Sequence, residues 1–390
     1  MHNFFSYIFF FLIIVSGGLH SDEHPDYIST TSGYIKGYAK NKVINYDDIP
    51  YAKPPIGSLR WKAPREINDR DQILQSKDGN YCIQEPSSMG GAPGEGIITG
   101  TEDCLYLDIK TPTTNDSQLL PVMFWIHGGG NTSGLKDIYD FSKMVKRHDV
   151  IVVTINYRLG AFGWFTHPAI QSDQNAIDKT SNFGTLDIIQ ALKWVKNNID
   201  SFGGDPNNIT IFGESAGGHN VLSLLVAPQA KGLFHKAISQ SGYTTSVSKD
   251  HAYITDDDSP IYKHTSNEVV KRLVPNSDKL SLLELKRKLH SLSSKEFFSE
   301  YSDSSNLEMP LLTNDDIVIP EPATRYERPP AVFCIEPVTP LVNSADPVPN
   351  VVKPLNVADP VTVKLFLRYN EPLNWWMSSA LSPDFVEPLL

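Results

Sequence analysis

The sequence is short of cysteine, of positive charge and of long apolar runs, and each shortage closes off a class of protein. Its 390 residues include three cysteines, enough for one bridge with one thiol left over. Such usage fits an oxidising compartment if two of them pair. Lys and Arg number 34 against 45 Asp and Glu, a formal charge of −11, which argues against a nucleic-acid partner because a phosphate backbone needs clustered cations. The longest apolar run, residues 4–15 (FFSYIFFFLIIV), is shorter than the roughly 20 residues a membrane span needs. Followed by Ser16-Gly17-Gly18, it reads as the core of a signal peptide over residues 1–18, cleaved near Gly18, so the mature chain is expected to be secreted or periplasmic with no membrane span. No internal repeat is visible, and no Gly-x-x-x-x-Gly-Lys or Gly-x-Gly-x-x-Gly phosphate cradle accompanies the glycines.

What is present is a globular composition, 40% hydrophobic and 20% charged. From Tyr34 to about Gly242, short apolar strands alternate with helical stretches, the pattern of an open α/β sheet. Residues 105–109 alternate as a half-exposed strand. Residues 121–126, 151–155 and 209–212 are continuous apolar runs suited to central strands, and 236–239 reads as another strand. Leu186, Ile189, Leu192, Trp194, Val195 and Ile199 recur at helical spacing, and Gly203-Gly204-Asp205-Pro206 then breaks the pattern. Residues 244–306 turn polar and helical, either a cap over a site or ordinary surface helices. Between Pro320 and Pro360 fall 10 of the 28 prolines, which opposes helix and central strand alike. Residues 363–367 are the last recognisable element. Asn115, Asn131 and Asn208 each open an Asn-x-Ser/Thr acceptor, relevant if the source glycosylates.

The chemistry gathers at Gly213-Glu214-Ser215-Ala216-Gly217, between the strand-like 209–212 and a helical stretch from His219 to Leu225. A serine at so tight a strand-to-helix turn is thrust outward. The glycines two before and two after it remove side chains that would collide, and the Ala216 N–H points where a carbonyl oxygen would gather charge. A second signal, His127-Gly128-Gly129-Gly130, follows the strand-like 121–126. Glycines there let the chain approach a substrate oxygen closely enough for backbone N–H groups to reach it. Together with Ala216 they would make a three-donor oxyanion hole.

With these pieces in place, the chain resembles the type-B carboxylesterase/cholinesterase family over roughly residues 34–320. Residues 51–61 (YAKPPIGSLRW), 102–108 (EDCLYLD), 156–163 (NYRLGAFG) and 202–206 (FGGDP) carry the likeness beside the two motifs above. The resemblance implies an α/β-hydrolase fold over residues 19–320, a central, mostly parallel twisted sheet flanked by helices, with the helical insert near 244–306. It implies Ser215 as nucleophile, Gly129, Gly130 and Ala216 as oxyanion donors, a Cys82–Cys104 disulfide, a structural Arg60–Glu102 ion pair, no metal and no cofactor. The expected function is hydrolysis of small-molecule carboxylic esters through an acyl-enzyme on Ser215, with the chain as given open to being inactive because the catalytic histidine and glutamate are not found; a catalytically silent binding or adhesion protein is the alternative.

The likeness then fails at the base. A serine hydroxyl needs an imidazole to take its proton and an acid to orient that imidazole, in the chain order Ser, Asp/Glu, His. Where the family places its glutamate this sequence has Thr362, with Asp359 only nearby. His219, His235, His251, His264 and His290 all precede that position, so the catalytic acid and histidine are unassigned. The sequence therefore reads as truncated, lacking the family's C-terminal strands and helix, with 321–390 a divergent, Pro-rich remainder. A fragment or disrupted reading frame and a genuine shortened pseudoenzyme both fit.

Overall fold

The computed structural model describes residues 26–77, 79–87, 90–96, 98–113, 118–172, 175–242, 246–248, 252–253, 265–301, 312–320 and, for the backbone alone, 331–335. The signal segment, Asn115, His251, His264, Asp359, Thr362 and residues 363–367 lie outside them, as does the side chain of Cys334.

Twelve strands are described: β1 Ile28–Thr30, β2 Gly33–Ile35, β3 Tyr38–Lys40, β4 Val43–Pro50, β5 Tyr106–Pro112, β6 Leu120–Ile126, β7 Ile151–Ile155, β8 Gly204–Glu214, β9 Lys236–Gln240, β10 Val247–Ser248, β11 Thr313–Asn314 and β12 Ala331–Ile335. The helices are α1 Ser142–His148, α2 Gly160–Gly163, α3 Pro168–Gln171, α4 Phe183–Asn198, α5 Ala216–Val226, α6 Ser266–Leu273, α7 Leu282–Ser291 and α8 Ser294–Ser299. Eight strands form one sheet in the order β12-β9-β8-β6-β7-β5-β4-β3. The pairings from β7 through β6, β8 and β9 to β12 are parallel, and those among β7, β5, β4 and β3 are antiparallel. This is the mixed, mostly parallel sheet of an α/β-hydrolase. Among the described residues no helix is long and apolar enough to cross a membrane.

The apolar runs become central strands because both faces are covered. Val122, Phe124, Ile126, Ile151, Val153, Ile155, Ile209 and Ile211 pack with Leu186, Ile189, Leu192 and Val195 of α4 and Val221 and Leu224 of α5. Val152, on the opposite face, meets Val145 of α1 and Val43 of β4. Burial of each such side chain contributes about 1.5–3 kcal/mol. A second apolar core joins Trp61, Phe162, Phe165 and Phe183 to Val269, Val270, Leu285, Leu289, Phe297 and Phe298 of α6–α8. Capping boxes Ser281–Glu284 and Ser293–Glu296 start α7 and α8.

Three expectations change. β8 begins at Gly204, inside the stretch read as a break. Its register with β6 slips from Leu120↔Gly204 to Val122↔Ile209, which leaves Pro206 outside the regular ladder. β12 lies within the proline-dense region, yet Pro329, Pro330 and Pro337 flank it rather than interrupt it. Asn131 is buried, with 1% of its surface exposed, and its side chain is engaged with Asn220, which removes it as a glycan acceptor.

Candidate active site

Where β8 meets α5 the backbone turns through Ser215 at φ 54° and ψ −120°. A non-glycine residue so placed stores on the order of 1–3 kcal/mol of strain, which the surroundings must hold. They do so through glycine. A Cβ on Gly213 would stand 2.5 Å from the Gly217 backbone, and one on Gly217 would stand 2.1 Å from Ile126 O. The bend closes only because neither side chain exists. The Ser215 N–H donates to Gln240 O at 2.8 Å, and Ser215 O accepts from the His219 N–H at 2.9 Å. Ser215 is half-buried, whereas Ala216 opens α5 fully buried.

The glycine loop leaves β6 and lies against this bend. A Cβ on Gly128 would fall 2.6 Å from Glu214 O and 3.4 Å from Ser215 Cβ. Gly129 and Gly130 follow at φ 93° and 64°. The Thr132 and Ser133 N–H groups both donate to Gly129 O at 3.0 Å, folding the loop back on itself. Among the described residues, the N–H groups of Gly129, Gly130 and Ala216 enter no hydrogen bond, and Ser215 Oγ has no partner. The arrangement can offer a hydroxyl to a carbonyl carbon beside N–H donors left open for an oxyanion.

Buried polar groups tie the loop to α5. The His127 ring stacks on Tyr157 with centroids 4.4 Å apart, and its Nδ1 lies 2.8 Å from Gly128 O. Burial lowers the His127 pKa to about 4, so the ring is neutral at pH 7 and donates that Nδ1–H. The Tyr157 hydroxyl lies 2.7 Å from His127 O, and Asn220 of α5 donates to Asn131 Oδ1 at 2.8 Å. Asn220 escaped the sequence reading; its only signal is an amide in a mostly apolar helix.

The structural pairs stand to one side. Cys82 and Cys104 form a disulfide with Cα atoms 5.0 Å apart. Arg60 meets Glu102 through two nitrogens, Nε at 2.7 Å from Oε2, while its Nη1 donates to Leu292 O at 2.8 Å. Both carboxylate oxygens of Glu102 are thus engaged by a bidentate partner. That bond and the second core carry α6–α8.

Three further histidines have other work. His219 is buried in the first turn of α5, with its pKa lowered by burial to about 4. His235 Nδ1 accepts from the Ile209 N–H at 3.1 Å, near the start of the apolar part of β8. His290 Nδ1 lies 2.9 Å from Gly57 O, with the ring edge-on to Trp61.

The family model for the carboxylesterase family matches residues 24–333. The chain is 44% identical over 230 residues to the para-nitrobenzyl esterase of Bacillus subtilis (strain 168), covering 58% of this chain and 46% of that protein. It is 42% identical over 230 residues to the juvenile hormone esterase of Tribolium castaneum, covering 57% and 37%. Among solved structures, a thermophilic PNB esterase superposes with a TM-score of 0.64 at 34% identity, over 76% of this chain and 59% of that one. A carboxylesterase of Geobacillus stearothermophilus gives 0.60 at 32%, over 76% and 57%. The chain spans less than half the length of these curated relatives.

Proposed function

Because the chain belongs to the carboxylesterase family, we propose that it is an exported serine hydrolase of small-molecule carboxylic esters. Ser215 Oγ attacks the ester carbonyl, and the N–H groups of Gly129, Gly130 and Ala216 hold the oxyanion as charge develops. The alcohol leaves, and water then releases the acid from the acyl-enzyme. Each oxyanion donor is worth about 3 kcal/mol of transition-state stabilisation. The observation that carries the reading is the left-handed Ser215 backbone set against a glycine loop that touches it at Gly128. Export is supported by the apolar run at residues 4–15 and by the Cys82–Cys104 bridge, which an oxidising compartment preserves.

Of the described imidazoles, His127 and His219 are sealed in the interior, and His167, His235 and His290 are bonded to backbone groups, so none of these five is assigned as the proton acceptor. Rapid mixing with p-nitrophenyl acetate tests the reading. With imidazole added as proton acceptor, the expected result is a burst of p-nitrophenolate, above the Ser215→Ala background, approaching one equivalent per folded chain. No burst above that background from folded protein overturns it.

A further inference from the structure

Behind the glycine loop sits a buried amide that the chemistry above does not use. Gln84 has none of its surface exposed, and its side chain makes four hydrogen bonds. Nε2 donates to Gly134 O at 2.9 Å and to Cys82 O at 3.0 Å. Oε1 accepts from the N–H groups of Gly134 and Ala92, each at 2.9 Å. Both backbone groups of Gly134 are therefore gripped by one rigid, planar amide. Gln84 itself is fixed on its own backbone by two bonds to Thr99, at 3.2 and 2.9 Å, and stands two residues from the Cys82–Cys104 bridge.

The grip transmits to the oxyanion loop through two neighbours. Ser133, which precedes Gly134, donates its N–H to Gly129 O at 3.0 Å, and its carbonyl oxygen lies 2.3 Å from where a Gly129 Cβ would stand. On its other side Gly134 presses on His127, whose Nδ1 occupies the space of a Gly134 Cβ at 2.2 Å. Gly129 thus rests on a peptide whose next residue is clamped, and Gly134 in turn backs the histidine that begins the loop. An uncharged carboxamide offers two donors and an acceptor in one plane, and so meets both the N–H and the carbonyl of Gly134. An ionised glutamate of equal volume keeps the two accepted bonds but cannot donate to Gly134 O or Cys82 O.

We infer that Gln84 is a positioning residue for the oxyanion hole: it fixes Gly134 and through Ser133 sets Gly129 and Gly130 against Ser215. The inference rests on the esterase reading. The test compares Gln84→Glu and Gln84→Ala with the unaltered chain in backbone amide exchange and in p-nitrophenyl acetate turnover, with imidazole supplied as proton acceptor and the Ser215→Ala rate subtracted. For Gln84→Glu, kcat should fall by about 10–100-fold with KM within about threefold, because misplaced donors weaken the transition state more than the ground state. Exchange should accelerate at residues 129–134 while β6, β7 and β8 stay protected. Gln84→Ala should exceed Gln84→Glu in both readouts. An unchanged kcat in either variant, beside a turning-over parent, overturns the role alone. Exchange rising equally through β6, β7 and β8 also overturns it by making Gln84 a general fold residue. Failure of the unaltered chain to turn over ester defeats the esterase reading, and this role with it.

Discussion

Two regions of this molecule hold buried polar groups in contrasting ways. At Ser215 the work is done by backbone: a left-handed serine, glycines whose missing side chains let peptides touch, and N–H groups left open. Beside the disulfide loop it is done by side-chain charge. Lys136 reaches Asp48, Asp108 and Asp137, each at 2.9 Å, and Asn80 donates to Asp48 Oδ1. Arg158 and Asp187 form a second interior pair, gripped through two nitrogens at 2.7 Å. The first region depends on the absence of atoms and the second on the matching of charges. The two should therefore fail under different insults.

Acid should produce the largest difference. Burial lowers the pKa values of His127 and His219 to about 4, well below the unfolded value near 6.5. Between those values the unfolded chain binds more protons than the folded one, so stability is complete above about pH 6.5 and declines as pH falls towards 4. Each ring can contribute up to about 3 kcal/mol of that loss. In the charge cluster, burial alone would raise the Asp48 carboxyl, but the Lys136 charge and bonds from Ser76, Lys136 and Asn80 outweigh it and hold it below its ordinary value. Its contribution is present above pH 3.8 and goes only under stronger acid, while Asp108 on the same lysine is pushed well up by burial and so loses no stability on acidification. Melting temperature should therefore drop steeply from pH 7 to 4.5, with exchange near residues 127–131 and 216–220 rising before exchange near Asp48. A flat profile would erase the distinction.

Removing the cluster's cation comes next. Lys136→Met leaves Asp48 and Asp108 buried beside no lysine, which should cost about 3–5 kcal/mol in denaturant unfolding. Gly217→Ala should destabilise less, by about 1–3 kcal/mol, because its methyl meets Ile126 O and the backbone must shift. Its effect on chemistry should be larger, an ester-turnover loss of about 100-fold from a displaced elbow. The smallest change is Gly232→Ala, at φ 78° with no atom within 4 Å of the new methyl. It should cost about 1 kcal/mol of backbone strain and leave turnover intact. Equal loss of turnover from Gly217→Ala and Gly232→Ala would contradict the steric account of the elbow.

The same contrast explains what could be read from the sequence. The elbow, the glycine loop and strands such as Ile151–Ile155 are encoded within a few residues, so periodicity and glycine spacing reveal them. Gln84 and Lys136 carry no local signal, because Gly134 lies 50 residues from Gln84 and Asp108 lies 28 from Lys136. The topology that brings them together is not written at either end. The short antiparallel strands β1 to β4 escape for the same reason, being defined by pairing rather than by their own apolar pattern. β12 was hidden by composition, its five residues averaged into the prolines around them. The match to the family, by contrast, extends over residues 24–333 of a chain spanning less than half of its curated relatives.

The central claim is that the bend after Phe212 presents a reactive hydroxyl. Labelling with a fluorophosphonate probe, with and without added imidazole to stand in for a proton acceptor, followed by peptide mass mapping, tests it most directly. The expected result is a single adduct on Ser215, absent from Ser215→Ala. A folded chain that stays unlabelled under both conditions, or carries its adduct on another residue, would contradict it.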